Sequence, residues 1–324
     1  MRVVITGGAG LVGRAVTSRI RDRGDEVLAL VRRVDQAAHI TGPRTELVAD
    51  DLSDVGRLTD FLRGADGVIH AAGSYRIGIR PSERAAMWDI NVGTTTRVLD
   101  AALAAGTPRM VYVSTANIYG DTYGATVDES YVRDPAAGFL SWYDEAKFAA
   151  HEVAVDRIGR GAPVVIGLPS QVYGPGDRSG FGEQLQRAHA GKLPYRALDD
   201  LRIGLVHADD LATGLVAALD RGRLGESYNL AGPPTSLGEA IAIAARLGGH
   251  SVPAIHIPTR LLRVTAPLGR LIGQPNLDEV IRAAAGVTYL ISSAKAESEL
   301  GFTPRAIEPG LREVLGGARS TRAD

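Results

Sequence analysis

The sequence predicts an α/β fold: a doubly wound sheet of parallel strands with helices on both faces, followed by a smaller C-terminal lobe. Three observations carry this. Short Val/Ile-rich runs alternate with amphipathic stretches through the first half of the chain. A glycine-rich turn, Thr6-Gly7-Gly8-Ala9-Gly10-Leu11-Val12-Gly13, joins the first such run to the first such stretch. The alternation then breaks at Gly174-Pro175-Gly176-Asp177, where loops become frequent.

In order, the expected strands are Arg2–Thr6, Glu26–Val31, Thr45–Val48, Gly67–His70, Arg109–Ser114 and Pro163–Pro169. Each is short, apolar and bounded by glycine or charge, as a strand buried on both faces should be. The intervening helices are Leu11–Arg23, Val55–Leu62 and a long one over Asp89–Ala105. Val206–Val216 and Ser227–Leu230 are expected to return to the main sheet. Leu237–Leu247, Thr259–Ile272 and Lys295–Leu300 read as a mostly helical lobe, and Gly317–Asp324 as a frayed tail. The expected partition is residues 1–172 plus about 205–232 for the dinucleotide domain, and 173–204 plus 233–324 for the substrate lobe.

Composition narrows the chemistry. The 324 residues carry 36 basic and 37 acidic side chains, a net charge of -1 without the basic excess of a nucleic-acid footprint. There is no cysteine, which removes disulfides, thiolate nucleophiles and zinc–sulfur sites. The seven histidines show no paired-ligand spacing, so no metal is expected, and no Gly-x-Ser-x-Gly elbow points to a serine hydrolase. With neither a secretory signal nor an apolar run of membrane-spanning length, a cytoplasmic protein with no membrane span is expected.

The glycine turn is a dinucleotide cradle by its context. Gly7 permits the tight turn, Gly10 lets the backbone approach a diphosphate, and Gly13 lets the helix pack on the strand. The amides of the first helical turn, at Leu11 and Val12, then face the phosphates. The end of the second strand selects the cofactor. A carboxylate there would favour NAD; Arg32 and Arg33 stand there instead, suited to a 2′-phosphate. NADP is therefore the expected cofactor, with NAD the alternative. Asp51 and Leu52 are placed to bracket the adenine, and Ala71-Ala72-Gly73 to let the cofactor backbone pass.

Only three lysines occur, and Lys147 follows Tyr143 by four residues, on one helical face. A phenol is a poor base at neutral pH, but a neighbouring ammonium favours its ionisation, so the pair can exchange a proton with an alcohol or carbonyl oxygen. Ser114 and Thr115 end the fifth strand, where open α/β sheets bind ligands, and can hydrogen-bond the same oxygen. Asn91, on the long third helix, is expected to support the lysine through water.

These motifs, with His70-Ala71-Ala72, Asn91-Val92-Gly93-Thr94, Ser114-Thr115-Ala116-Asn117-Ile118-Tyr119-Gly120, Pro169…Val172-Tyr173-Gly174-Pro175-Gly176 and Val206-His207-Ala208-Asp209-Asp210-Leu211, run in order along nearly the whole chain. Together they resemble the extended short-chain dehydrogenase/reductases, the NAD-dependent epimerase/dehydratase family, which implies a Rossmann domain with a smaller C-terminal substrate-binding lobe. The resemblance implies that Tyr143 is the acid/base, Lys147 its partner and Thr115 the catalytic hydroxyl with Ser114 beside it. It places Pro169 and Val172 at the nicotinamide end, and implies a homodimer formed through the helices carrying Asn91 and Tyr143.

Three departures select a branch. Ala116-Asn117 stands where the family's sugar-nucleotide dehydratases carry Asp-Glu. Ile203 and Leu168 stand where its nucleotide-sugar enzymes often carry arginine, although Arg178, Arg202, Arg260 or Arg282 can serve. The apolar run Leu261–Leu268, with Leu271-Ile272, reads as lobe core or as a lid over a lipophilic substrate. The chain is thus nearest the dihydroflavonol-reductase and 3β-hydroxysteroid-dehydrogenase branch. The expectation is hydride transfer between nicotinamide and a carbonyl or secondary alcohol of a small substrate. A nucleotide-sugar epimerase and a non-catalytic dinucleotide sensor are the alternatives. His207 with Asp209 and Asp210 reads as a strand-to-helix turn.

Overall fold

The computed structural model describes residues 1–265 and 276–317. Seven parallel strands form the central sheet: β1 (Arg2–Thr6), β2 (Glu26–Val31), β3 (Thr45–Ala49), β4 (Gly67–His70), β5 (Met110–Val113), β6 (Val164–Pro169) and β10 (Ser227–Leu230). Their order is β10-β6-β5-β4-β1-β2-β3. The chain runs outward from β1 in one direction, then restarts at β4 on its other side. That reversal opens a crevice at the carboxyl ends of β1 and β4, where such sheets bind ligands. β1 is in register with both neighbours, Thr6 opposite Leu30 and opposite His70.

Helices cover both faces, as strands buried on two sides require. On one face lie α1 (Leu11–Asp22), α7 (Ala208–Arg221) and α11 (Ala294–Leu300). Their apolar sides meet Val3, Ile5 and Val27 of the sheet in one core. On the other lie α2 (Val55–Leu62), α4 (Thr94–Ala104) and α5 (Trp142–Gly159), packed with Val4, Leu28 and Tyr112. The expected long third helix is interrupted. α3 (Arg84–Trp88) passes through a π-helical turn at Asp89–Gly93 before α4 begins. A wide turn of this kind lets a side chain leave the regular helical stripe, and the one it turns inward is Asn91, buried.

A second unit contains β7 (Gln171–Tyr173), α6 (Gly180–His189), β8 (Arg196–Ala197), β9 (Arg202–His207), β11 (Pro234–Ser236), α8 (Leu237–Leu247), β12 (His256–Ile257), α9 (Thr259–Thr265), α10 (Leu277–Ala284), β13 (Thr288–Tyr289) and α12 (Ile307–Gly317). Two expectations differ from this arrangement. Val206–Val216 does not rejoin the main sheet. Val206 and His207 end β9, which pairs with β7, β11 and β13 in a separate four-stranded sheet, and the rest is α7. Helix still outweighs strand in the unit, as expected, with Leu237–Leu247 forming α8 and Thr259–Thr265 forming α9. Lys295–Leu300 does not belong to the unit: Ala296 and Leu300 of α11 are buried in the central-sheet core. Periodicity reads a buried apolar run but not which of two sheets buries it. Of the expected apolar run, residues 266–268, 271 and 272 lie outside the described residues, as do residues 318–324 of the expected tail. No helix among the described residues is long and apolar enough to cross a membrane.

Candidate active site

The glycine turn fits a dinucleotide by its shape. Gly7 has φ +71°, and a Cβ on it would stand 2.7 Å from Ala72 Cα, so both its handedness and its surroundings exclude a side chain. A Cβ on Gly13 would be driven into the Gly7 carbonyl, which is the close helix–strand approach. At Gly10 a Cβ would meet nothing but that same carbonyl, at 3.3 Å, so the space in front of it is open. Gly10 is also the N-cap of α1. Neither a capping side chain nor an acidic residue occupies that first turn, so the amides at Leu11 and Val12 are left for an anion. One turn on, Arg14 buries its Nη2 with no hydrogen-bond partner among the described residues.

Around this cradle the remaining cofactor candidates divide. The Ala71 amide donates to the Thr6 carbonyl and the Ala72 amide to the Thr6 hydroxyl, and Gly73 lies against Asn91. Leu52 is buried with φ +63°, and its carbonyl accepts from Arg97 Nε at 2.7 Å. Asp51 is exposed, with one carboxylate oxygen held by Ser53. Arg32 and Arg33 follow β2 and are both exposed, but they are not equivalent. Arg33 is paired with Asp35 at 2.6 and 3.2 Å; Arg32 makes no ion pair among the described residues. Pro169 ends β6, and Val172 lies in β7 just beyond it.

The candidate acid/base group sits at the mouth of β5. α5 starts where Ser141 accepts from the Asp144 amide at 3.1 Å, and the buried Glu279 of α10 accepts from the Trp142 amide at 2.9 Å. This start fixes the inward face of the helix, which buries Tyr143 and Lys147. Lys147 Nζ donates to the Val113 carbonyl at 3.0 Å and to the Tyr112 hydroxyl at 3.1 Å, leaving one of its three N–H groups. Burial, with Tyr75 and Asp144 nearby, pushes the Tyr143 phenol far above its ordinary range; a hydrogen bond with Thr115 opposes this. The Tyr75 ring meets Tyr143 edge-on, with centroids 4.8 Å apart. Ile77, Ile79, Met87 and Trp142 complete an apolar wall around the phenol.

The structure therefore brings Thr115, Tyr143 and Lys147 to one place, with Asn91 and Ser114 engaged elsewhere. Asn91 holds the loop beyond β4: its Oδ1 accepts from the Ser74 amide, and its Nδ2 donates to the Ser74 and Met87 carbonyls. The Ser114 hydroxyl lies 3.2 Å from His151 Nδ1. Burial near the Lys147 cation lowers His151 to about 4 and His70 to about 3, so both rings are neutral. His70 is bonded to Thr6 at 2.6 Å and to Thr95 at 3.1 Å, and stacks on the same Tyr112 that receives Lys147. His207 caps α7 by accepting from the Asp209 amide at 3.2 Å, the turn expected from sequence. The Glu313 carboxylate, brought close to it by α12, is paired with Arg305. Sequence reading passed over Asp144, His151 and Tyr75. Asp144 alone carried a signal, as a carboxylate one residue from the tyrosine on a helix whose inward face is reactive.

A dinucleotide cradle leading to a buried tyrosine–lysine–threonine group at the carboxyl ends of a parallel sheet defines an NAD(P)-dependent oxidoreductase site. Comparison with known proteins agrees. Residues 3–231 match the profile of the NAD dependent epimerase/dehydratase family, and the chain belongs to that family. It is 29% identical to a putative dihydroflavonol 4-reductase of Synechocystis, covering 96% of this chain and 92% of that one. It is 30% identical to a 4-hydroxy-2-methyl-3-oxo-4-farnesyl-3,4-dihydroquinoline-1-oxide ketoreductase of Stigmatella aurantiaca, over 94% and 92%. A solved nucleoside-diphosphate-sugar epimerase from Pseudomonas aeruginosa superposes with a TM-score of 0.81 at 27% identity, covering 99% of this chain and 98% of that one.

Proposed function

We propose that this oxidoreductase is an NADP-linked reductase of a carbonyl on a lipophilic molecule, with Tyr143 as the proton donor. The observation that carries the reading is the Tyr143 hydroxyl itself. It is buried against the apolar side chains of Ile77, Ile79, Met87 and Trp142. Burial keeps the phenol protonated until an acceptor arrives, which suits an acid that gives its proton to a carbonyl oxygen. Lys147, tied to Val113 and Tyr112, holds its charge behind that oxygen. The bound nicotinamide supplies the hydride. Leu11, Val12, Gly7, Gly10 and Gly13 would hold its diphosphate, Arg32 the 2′-phosphate, Asp51 and Leu52 the adenine, and Pro169 and Val172 the nicotinamide end.

The two reductase relatives act, by their names, on a flavonoid and on a farnesylated quinoline ketone, and the wall around Tyr143 suits such molecules. α10 lies over the same wall, with Asn276 donating to the Gly78 and Ile79 carbonyls. The second unit thereby serves as the substrate lobe. The helical segment through Asn91, which runs on into α4, and α5, which carries Tyr143, are the faces proposed for a homodimer. A screen of ketones, aldehydes, sterols and sugar nucleotides with NADPH and NADH tests the reading: NADPH oxidation by an apolar ketone supports it. Redox-neutral conversion of a sugar nucleotide supports the epimerase instead.

A further inference from the structure

One aromatic ring beside the buried tyrosine is left uncovered. Tyr75 is 50% exposed, whereas Tyr143 is 7% exposed. Their ring centroids lie 4.8 Å apart with the planes at 85°, and among the described residues Tyr75 packs on no other ring. We propose that the open face of Tyr75 is the platform on which the substrate lies, and that it selects a flat, conjugated ketone whose carbonyl is bonded to the stacked ring or lies within it. This rests on the reading of Tyr143 as the proton donor and names the class of lipophilic carbonyl that it serves.

An aromatic side chain on a free loop tends to fold down onto apolar surface, but this one stands on a braced segment. Before it, the Ser74 amide donates to Asn91 Oδ1 at 3.1 Å, and the Ser74 carbonyl accepts from Asn91 Nδ2 at 3.2 Å. After it, Asn276 Nδ2 donates to the Gly78 carbonyl at 3.1 Å and to the Ile79 carbonyl at 2.6 Å. Gly78 has φ +73°, and a Cβ on it would stand 2.8 Å from Val280 Cγ2, so the segment turns back tightly against α10. Between the two asparagine clamps, Arg76 is paired with Glu83 at 2.6 Å, and Ile77 joins the wall around Tyr143. The backbone under Tyr75 is thus ordered before any ligand arrives, which removes part of the cost of binding.

The ring stands inside a cleft rather than on an outer face. Desolvation, with the carboxylates of Asp144 and Asp177 nearby, pushes the Tyr75 phenol up to about 12, although half of the residue is open to solvent. A side chain that solvent reaches but whose polar end is poorly hydrated lines a concave surface. Asp144 lies in α5 beside Tyr143, and Asp177 follows β7 of the second unit, so the concavity is bounded by both units. Tyr143 meets Tyr75 almost at a right angle and so does not cover a ring face as a parallel neighbour would. A flat conjugated ring fills such a face by offset stacking, which a puckered saturated ring of the same carbon skeleton cannot do. The closeness of the two tyrosine rings sets the position of the carbonyl. A ketone stacked on Tyr75 brings its carbonyl to the Tyr143 hydroxyl when the two are directly joined, and a spacer of several methylenes carries it past.

The test reads binding without turnover, so its failure and that of the reductase reading are distinguishable. The protein is saturated with whichever oxidised cofactor, NADP+ or NAD+, binds it more tightly; neither can reduce a ketone. Calorimetry then gives the affinities of 2-acetylnaphthalene and of its fully saturated counterpart, 2-acetyldecalin. Comparing the ratio of the two affinities between proteins cancels the difference in hydrophobicity between the ketones. Tyr75→Leu should lower the flat-to-saturated ratio by about three- to tenfold, the worth of one aromatic pair. Tyr75→Phe, which keeps the ring, should leave the ratio within error. Tyr75 is half exposed, so neither substitution opens a core cavity, and thermal unfolding checks that both variants fold. An unchanged ratio in Tyr75→Leu overturns the proposal, as does an equal fall in Tyr75→Phe, which would assign the effect to the hydroxyl. Failure of the flat ketone to bind the unaltered protein overturns it as well. Binding with the expected ratios supports the platform even where the same ketone consumes no reduced cofactor, an outcome that sinks only the reductase reading.

Discussion

In the proposed NADP reading, Arg32 rather than Arg33 meets the 2′-phosphate. Arg33 uses its Nε and one Nη on Asp35, at 3.2 and 2.6 Å, so recruiting it to a phosphate requires breaking a formed pair. Arg32 has no such partner among the described residues and stands immediately after β2, where the adenosine ribose of a dinucleotide lies in this sheet order. A charge-assisted contact from an exposed guanidinium to a phosphate, discounted for solvent, corresponds to roughly a tenfold change in affinity. Arg32→Ala should therefore weaken NADPH about tenfold and leave NADH unchanged. Arg33→Ala should shift NADPH by roughly threefold or less, since its loss also frees Asp35 to repel the phosphate only from an exposed position. Nicotinamide fluorescence titrations of both cofactors, at low and high salt, measure the four constants. The Arg32 effect should contract at high salt. Equal losses for NADPH and NADH in Arg32→Ala, or an unchanged ratio, would refute the assignment.

Other consequences are as direct. Tyr143→Phe should lower turnover by about 10²–10⁴ while cofactor affinity, read by the same titration, stays within error. Gly7→Ala should cost about 2 kcal/mol or more in stability, from the left-handed backbone and the contact with Ala72, and should reduce cofactor binding; thermal unfolding with and without NADPH reads both. His70 and His151 lie well below their unfolded value of 6.5, so their contribution to stability is complete above about pH 6.5 and is lost as pH falls toward about 4 and then 3. Asp144 has the opposite sign. Raised from 3.8 to about 6, it burdens the fold above pH 6 and is relieved as pH falls toward 4, so Asp144→Asn should raise the Tm at pH 7 and not at pH 4. Tm series of both proteins against pH check the two statements together.

Much of this site was legible in the sequence because its chemistry is local. The glycine turn, the two arginines and the Tyr143/Lys147 spacing each lie within a few residues, and a strand–turn–helix or a single helix places them without help from elsewhere. What escaped depends on contacts between distant segments. Asn91 looked like an outlying support for the lysine. The π-helical turn at Asp89–Gly93 aims it at Ser74 instead, and no periodicity rule marks such a turn in advance. Ser114 looked equivalent to Thr115 until His151, 37 residues on, took its hydroxyl. Val206–Val216 was sent to the wrong sheet because a buried strand and the first turns of a buried helix are both apolar. Only the pairing of β9 with β7, β11 and β13 decides between sheets. Asp144 drew no notice because its importance comes from Asn117 and Tyr289, which approach from two other parts of the chain.

The central claim is net reduction by this site, and the cofactor balance tests it most directly. The protein is incubated with NADPH and the best apolar ketone from the screen, then with a nucleotide sugar, and cofactor and product are quantified together. One NADPH should be consumed for each secondary alcohol formed from the ketone, with no such reaction in Tyr143→Phe. Conversion of the nucleotide sugar to an epimer with the cofactor unchanged at the end, and no turnover of the ketone, would contradict net reduction.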